Sequence, residues 1–363
     1  MNNIKRLLGS FIYLIFAFAT CVMFGCTTGQ EPDYKFIGSW KLLGLQHTEI
    51  NVIKEGGEGL LIGADKGVFQ WNIQQGEFTD LGLGSEQIIG IAEFRDGELL
   101  VGTKALGFSS GETTLFRLVE GEKSWEPYMN NFGGETGEYT FINKGPLNRK
   151  SNSDTVWVRV GNAVAKSIDK GSKWELILGD WGSWGGSAPL FYLDPFLKDN
   201  IWVGGVSALS EAYLYRTTDN GDSWTDVTSG LSDGIEAVTY DAITFPKKDN
   251  TVLAGLSGTV REAFKIKKSK DMGENWNTVY DEAGIHCFTH SAIIPEIVYA
   301  SGINTQGQLF FIASNDFGDT WQTIEYPESP TRIHVNDMVS VMEDCQEVIY
   351  LGTNKGLYSF TLE

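Results

Sequence analysis

One eight-residue pattern recurs four times along the chain and limits its folds more than any other feature. Serine or threonine is followed by aspartate two residues on, glycine two further on and tryptophan three beyond that. The copies are SIDKGSKW ending at Trp174, TTDNGDSW at Trp224, SKDMGENW at Trp276 and SNDFGDTW at Trp321. Successive tryptophans lie 50, 52 and 45 residues apart, a spacing that belongs to folds in which one small unit is copied about an axis. Each copy reads as a turn. The carboxylates of Asp169, Asp219, Asp271 and Asp316 can accept hydrogen bonds from backbone N–H groups of their own segment, and Gly171, Gly221, Gly273 and Gly318 can take up positive φ. These four aspartates are therefore expected to be structural rather than catalytic.

Weaker copies extend the count. EGEKSW at Trp125 lacks the aspartate, IQQGEF at Phe78 keeps only the glycine and an aromatic ring, and IGSW keeps Gly38 and Trp40. A second marker, an apolar strand closed by glycine, appears seven times, ending at Gly63, Gly102, Gly161, Gly205, Gly255, Gly302 and Gly352. Seven markers imply seven units. Forty-three glycines and a high aromatic content beside nine prolines suit short strands joined by tight turns.

The pattern resembles the Asp-box, or BNR, repeat of sialidase-like propellers. In size the chain is similar to single-propeller relatives of the sortilin-like and photosystem-assembly-factor-like proteins. The resemblance implies an all-β fold, a seven-bladed β-propeller of four-stranded blades. In it the Asp-box turn joins the two outer strands of a blade and the tryptophan packs sideways under the hairpin. After the seventh marker, KGLYSF leaves no room for another turn and outer strand. Residues 34 to 45, with Trp40 at the Asp-box tryptophan position, are expected to supply that strand. Pairing of the N- and C-terminal segments would then close the ring and leave no open edge.

The first residues, Asn2-Asn3-Ile4-Lys5-Arg6 and an apolar run from Leu7 to Phe24, read as an export signal over residues 1–25. The stretch Val22-Met23-Phe24-Gly25-Cys26 resembles a bacterial lipoprotein signal. It implies lipidation of Cys26, a tether over 26–33, a single propeller over 34–363 and an extracytoplasmic location on a membrane or cell surface. Release of a secreted or periplasmic protein and retention as an uncleaved anchor are the alternatives. Removing residues 1–25 leaves 26 basic against 47 acidic residues, a net formal charge of −21. Such a surface repels nucleic acid and favours neutral or cationic partners or divalent cations. Cys287 and Cys345 can pair in an oxidising compartment, and no C-x-x-C metal spacing occurs.

In propellers of the resembled kind, the connectors between blades gather at one mouth of the central channel, opposite the Asp-boxes. His47, His286, His290 and His334 all read as lying in such connectors or at the start of the innermost strand that follows. Glu49, Asn51, Asn336 and Asp337 accompany them, with Glu236, Tyr240 and Asp241 in the corresponding connector of blade five. Imidazoles and carboxylates brought together can act as general acid and base or hold a metal ion, with His47, His290, His334, Tyr240, Asp241 and Asp337 as catalytic candidates. The plain alternative is a set of polar residues filling a wet channel. Trp181 and Trp184, in the glycine-rich GDWGSWGG, are candidate ligand platforms with His286 and Glu236, because wide aromatic faces stack on sugars or partner proteins. Phe132 and Tyr139 mark another aromatic loop. An Arg-x-Pro-type arginine near the start is absent, which argues against sialidase activity. The leading expectation is a protein that binds a glycan, peptide or protein partner. The alternative is a carbohydrate-active enzyme, either a glycoside hydrolase or a polysaccharide lyase.

Overall fold

Each blade is built by strands too short to enclose a core of their own, so the sheets stack on one another. The computed structural model describes residues 35–103, 115–128, 139–141, 154–160, 163–179, 187–197, 199–207, 209–245, 247–248, 250–326 and 331–363. Cys26, Phe132, Trp181 and Trp184 lie outside them. Twenty-eight strands, β1 to β28 in chain order, form seven antiparallel four-stranded sheets. Six sheets use four consecutive strands each. They start at β2 (Ile50–Gly56), β6 (Ile88–Glu93), β10 (Tyr139–Phe141), β14 (Ser187–Leu193), β18 (Val238–Thr244) and β22 (Ala283–His290), and define blades one to six.

Blade seven is assembled from both ends of the chain. It comprises β26 (Val335–Glu343), β27 (Gln346–Thr353) and β28 (Gly356–Leu362), with β1 (Gly38–Gly44) added outside β28. The register runs from Gly38 opposite Leu362 to Gly44 opposite Leu357, placing Trp40 across from Phe360. The expected closure is therefore the one observed. Every pair of neighbouring blades shares a hydrophobic cluster, including blades seven and one through Ile50, Ile53, Tyr350 and Leu357.

The second strand of a blade is covered on both faces, and β19 (Val252–Ser257) is buried along its whole length. Burial on both sides explains why the seven markers are unbroken apolar runs rather than alternating ones. Their glycines have a packing role. A Cβ on Gly63, Gly255 or Gly352 would lie 2.7, 2.7 or 2.6 Å from Ile88, Ile285 or Ile50 of the following blade. The missing side chain lets the next innermost strand approach.

The four full turns share one hydrogen-bond set. In the first, Asp169 Oδ1 accepts from the Lys173 N–H and the Ser167 hydroxyl (2.8 Å each), and Ser167 Oγ accepts from the Gly171 N–H (2.8 Å). Asp219, Asp271 and Asp316 repeat this with Thr217, Ser269 and Ser314. These bonds hold all four carboxyls below the usual range, Asp219 at about 2. The glycines have φ from 80° to 102°, and the residues before them are left-handed too, from Lys170 at 56° to Phe317 at 61°.

The tryptophans do more than pack under their own hairpins. Trp224 and Trp276 donate from Nε1 to the carbonyls of Ile177 (3.0 Å) and Val227 (2.9 Å) on the preceding blade, and the weaker copies Trp125 and Trp40 reach Leu81 (2.6 Å) and Glu325 (3.0 Å). Trp321 instead meets the preceding blade through Tyr280, ring centroids 6.4 Å apart. Each ring thus joins two blades. Trp224→Ala is expected to lower stability by about 3 kcal/mol and Trp224→Phe by about 1 kcal/mol in denaturant unfolding, the first losing packing and the bond, the second mainly the bond. An unfolding midpoint unchanged in Trp224→Ala would contradict this role.

Candidate functional site

Innermost strands line the channel, and a one-residue bulge near the start of several decides what they show it. The register shifts at Ile50/Val52, Ile88/Gly90, Thr239/Asp241, Ile285/Cys287 and Val335/Asp337. The bulged residues are Asn51, Ile89, Tyr240, His286 and Asn336. All five are half-buried while both flanking residues in every case are buried. A bulge re-aims a single side chain without disturbing those beside it, so these five blades each present one residue here.

Bulged and neighbouring side chains form a continuous series from blade five to blade one, tied by Asn51 to the backbone of blade two. The Tyr240 and His286 rings lie 4.5 Å apart and 34° from parallel, and His286 meets His334 edge-on at 6.3 Å. His334 Nε2 is 3.7 Å from Glu49 Oε1. Asn336 Nδ2 donates to Ile50 O (2.9 Å), with a longer contact to Glu49 Oε1 (3.4 Å), and Asn51 Nδ2 donates to Ile88 O (2.9 Å). Burial pushes the Tyr240 phenol upward. The arc offers ring faces, imidazoles, one carboxylate and two amides fixed to the next blade. Glu236, exposed in the connector to blade five, stands nearby in sequence, its backbone bridged to Glu211. His47 is exposed with φ of 66°, and its carbonyl accepts from Lys66 Nζ (2.8 Å).

The expected fourfold histidine cluster needs correction. His290 ends β22 rather than starting it, and its row crosses the blade through Val298 to Ser314, the first residue of the SNDFGDTW turn. Four residues beyond His286, it sits about 13 Å further along the strand, on the face carrying the turns. There it lines a cavity of about 350 Å³ with Phe196, Phe288 and Met338. Phe196 and Phe245 meet the imidazole edge-on at 5.2 and 5.7 Å. Both ring nitrogens are buried, and desolvation lowers its pKa to about 4. His290 is thus a neutral packing residue near neutral pH.

Asp241 and Asp337 also differ from expectation, since both lie within strands and are buried. Each follows a bulge and clasps the next blade. Asp241 Oδ2 accepts from the Phe288 N–H (2.8 Å) and Oδ1 from Ala242 (3.0 Å); Asp337 Oδ2 accepts from Ile53 (3.0 Å) and Oδ1 from Met338 (3.0 Å). These amides give the carboxylates a joining role between blades. Sequence reading missed the clasp, although the parallel TYDAI and VNDMV carry its signal. Among the described residues no three His, Cys, Asp or Glu side chains gather as a metal site. Cys287 is buried, Cys345 is exposed, and they form no disulfide.

A depressed histidine pKa links stability to pH. The unfolded chain binds the His290 proton near its ordinary value of 6.5, whereas the folded chain binds it only near 4. Stability from this group is therefore present above 6.5 and lost as pH falls to 4, by up to about 3 kcal/mol. His290→Phe is expected to flatten that part of the unfolding free energy measured against pH. An unaltered slope would contradict the assignment.

No protein-family model and no curated protein sequence matches the chain. Solved structures share its fold. YCF48 from Cyanidioschyzon merolae superposes with a TM-score of 0.63 at 12% identity, covering 89% of this chain and 98% of that one. YCF48 bound to D1 peptide gives 0.60 at 14% identity, over 93% and 100%. The extracellular domain of BT4673 from B. thetaiotaomicron gives 0.61 at 14%, over 89% of this chain and 40% of that one. The Niastella koreensis GH74 enzyme gives 0.53 at 17%, over 86% and 43%; this chain therefore spans less than half the length of the last two. At these identities the likeness is one of fold, and the chain is a seven-bladed β-propeller.

Proposed function

We propose that this chain is an exported, lipid-anchored β-propeller whose channel mouth binds a glycan, peptide or protein partner without transforming it. The supporting observation is the arc of Tyr240, His286, His334, Glu49 and Asn336, which four blades bring to one rim as ring faces and fixed donors and acceptors. Binding needs no more. A similarly folded protein, YCF48, is known bound to a peptide, which favours an extended peptide laid across the mouth. Trp181 and Trp184, between Leu178 and Ser187 in the sequence, would add aromatic contact area if their segment reaches the same rim.

A second reading, a glycoside hydrolase or polysaccharide lyase, draws on the 3.7 Å approach of His334 to Glu49 and on the GH74 enzyme of like fold. The removal of His290 to the other face weighs against it.

A panel of peptides and polysaccharides, followed for both retention and product release, separates the two. Retention without product is expected. For the retained ligand, Tyr240→Ala and His286→Ala should each weaken binding about tenfold, or about 1.4 kcal/mol, with the unfolding midpoint within about 2 °C of the parent. Product release would select the enzyme, and full affinity in both variants would move the site elsewhere.

A further inference from the structure

The face opposite the mouth has its own pattern. Nine large apolar side chains are exposed among the described residues, and only Leu209 and Val260 stand on hairpins of the mouth face. The rest lie on the turn face: Ile168 (73%) and Val119 on outer turns, Ile37 at the chain entry, and Ile293 (54%), Met342, Leu197 and Phe196 nearer the axis. The last four occupy the inner hairpins of blades four, six and seven. The hairpins touch one another. Phe196 packs on His290, and the Ala292 N–H after it donates to Ser340 Oγ (3.1 Å) and Glu347 Oε1 (2.6 Å) of blade seven. Apolar side chains of three blades thus stand at this end of the channel, where Phe196 lines the 350 Å³ cavity, beside the charged Glu55 and Lys247 of blades one and five.

The chain enters the propeller on this same face. Gly38 pairs with Leu362, and along the blade Thr361 lies opposite Val348 and Val348 opposite Val341, next to the Met342 hairpin. Ile37, just before the entry, is itself 55% exposed. Nine residues separate Cys26 from Phe36, and the ten Cα–Cα steps reach at most about 35 Å. The nine residues of β26 already measure about 30 Å from one face to the other. For an anchor at Cys26, the turn face would be the nearer one to lipid by about the height of a blade. Such an anchor could bring the mouth there only at nearly full extension.

We infer that the turn face is the membrane-facing surface of this propeller, with Phe196, Leu197, Ile293 and Met342 resting on the acyl-headgroup boundary and the mouth pointing away from the bilayer. This rests on the lipid-anchoring reading, and the lipid surface is its chosen occupant because the anchor emerges there. Short tethering makes the contact effectively intramolecular, so a few apolar side chains suffice where a free protein would need a larger apolar surface.

Photolabelling from within the bilayer tests the orientation. Full-length chain in membranes, and chain 26–363 bearing Cys345→Ser and coupled through Cys26 to a maleimide lipid, are placed in phosphatidylcholine vesicles carrying a diazirine acyl chain. Labelling at Phe196–Leu197, Ile293 and Met342 is expected to exceed that at Leu209 and Val260 about tenfold or more, as for groups inside against outside the interface. Ile293→Glu with Met342→Glu should reduce it several-fold. Equal labelling on both faces, an excess at Leu209 and Val260, or none on either, which would leave the turn face to a protein partner, overturns the inference. The mass of native Cys26 tests the anchoring reading separately, because the coupled chain reports orientation whether or not the native residue carries lipid.

Discussion

Six backbone pairings between β1 and β28 hold the rest of the structure in place. Without them blade seven would have three strands and an open edge, and its contact with blade one would rest on the Ile50, Ile53, Tyr350 and Leu357 cluster and the Asp337 clasp. A sheet here is not a stable unit alone, since its second strand is buried only because neighbours cover both faces. Closing the ring completes that cover for every blade at once. It also brings His334 and Asn336 of blade seven against Glu49 and Ile50 of blade one, more than 280 residues away in sequence.

Contacts between blades follow a repeated division of labour. At the inner end a marker glycine admits the isoleucine of the next strand, and a carboxylate after the bulge in blades five and seven takes an amide from the following blade. At the outer end the turn tryptophan reaches back to the preceding blade. Charged groups add to this where the turns meet neighbours, as Lys170 does with Glu98 (3.2 Å) and Lys268 with Asp319 (2.8 Å). With inner and outer ends tied separately, the bulged Tyr240 and His286 are left to present their rings to the channel, while the bulged Asn51 and Asn336 add further ties to the next blade. That freedom is what makes the mouth available for binding, as bulges elsewhere expose a side chain beside a site.

Much of the architecture was legible from residues because it is local and periodic. Turn chemistry around Asp169 and its equivalents, the marker glycines and the stand-in Trp40 all follow from short segments. The site was legible only in part. Tyr240, His286 and His334 could be assigned to neighbouring blades by counting, but the end of the channel each one serves depends on strand length. His290 belongs to an eight-residue strand, and four residues are enough to carry it to the other face. The bulges were invisible for a related reason. Side chains alternate with period two, so one extra residue exchanges which neighbour faces the channel, and Asp241 and Asp337 fall on the buried side. The tryptophan bonds to the preceding blade depend on how sheets stack, which no local pattern records.

The central claim is that head and tail segments share one sheet and that the ring therefore opens only as a whole. Native-state hydrogen exchange at Ser39, Trp40 and Lys41 tests it most directly, with Trp202 and Val203 of blade four for comparison. Closure by β1 expects the first group to exchange with nearly the free energy and denaturant dependence of the second, as parts of one cooperative unit. Exchange at Trp40 several kcal/mol easier and insensitive to denaturant, as for a frayed edge, would contradict it.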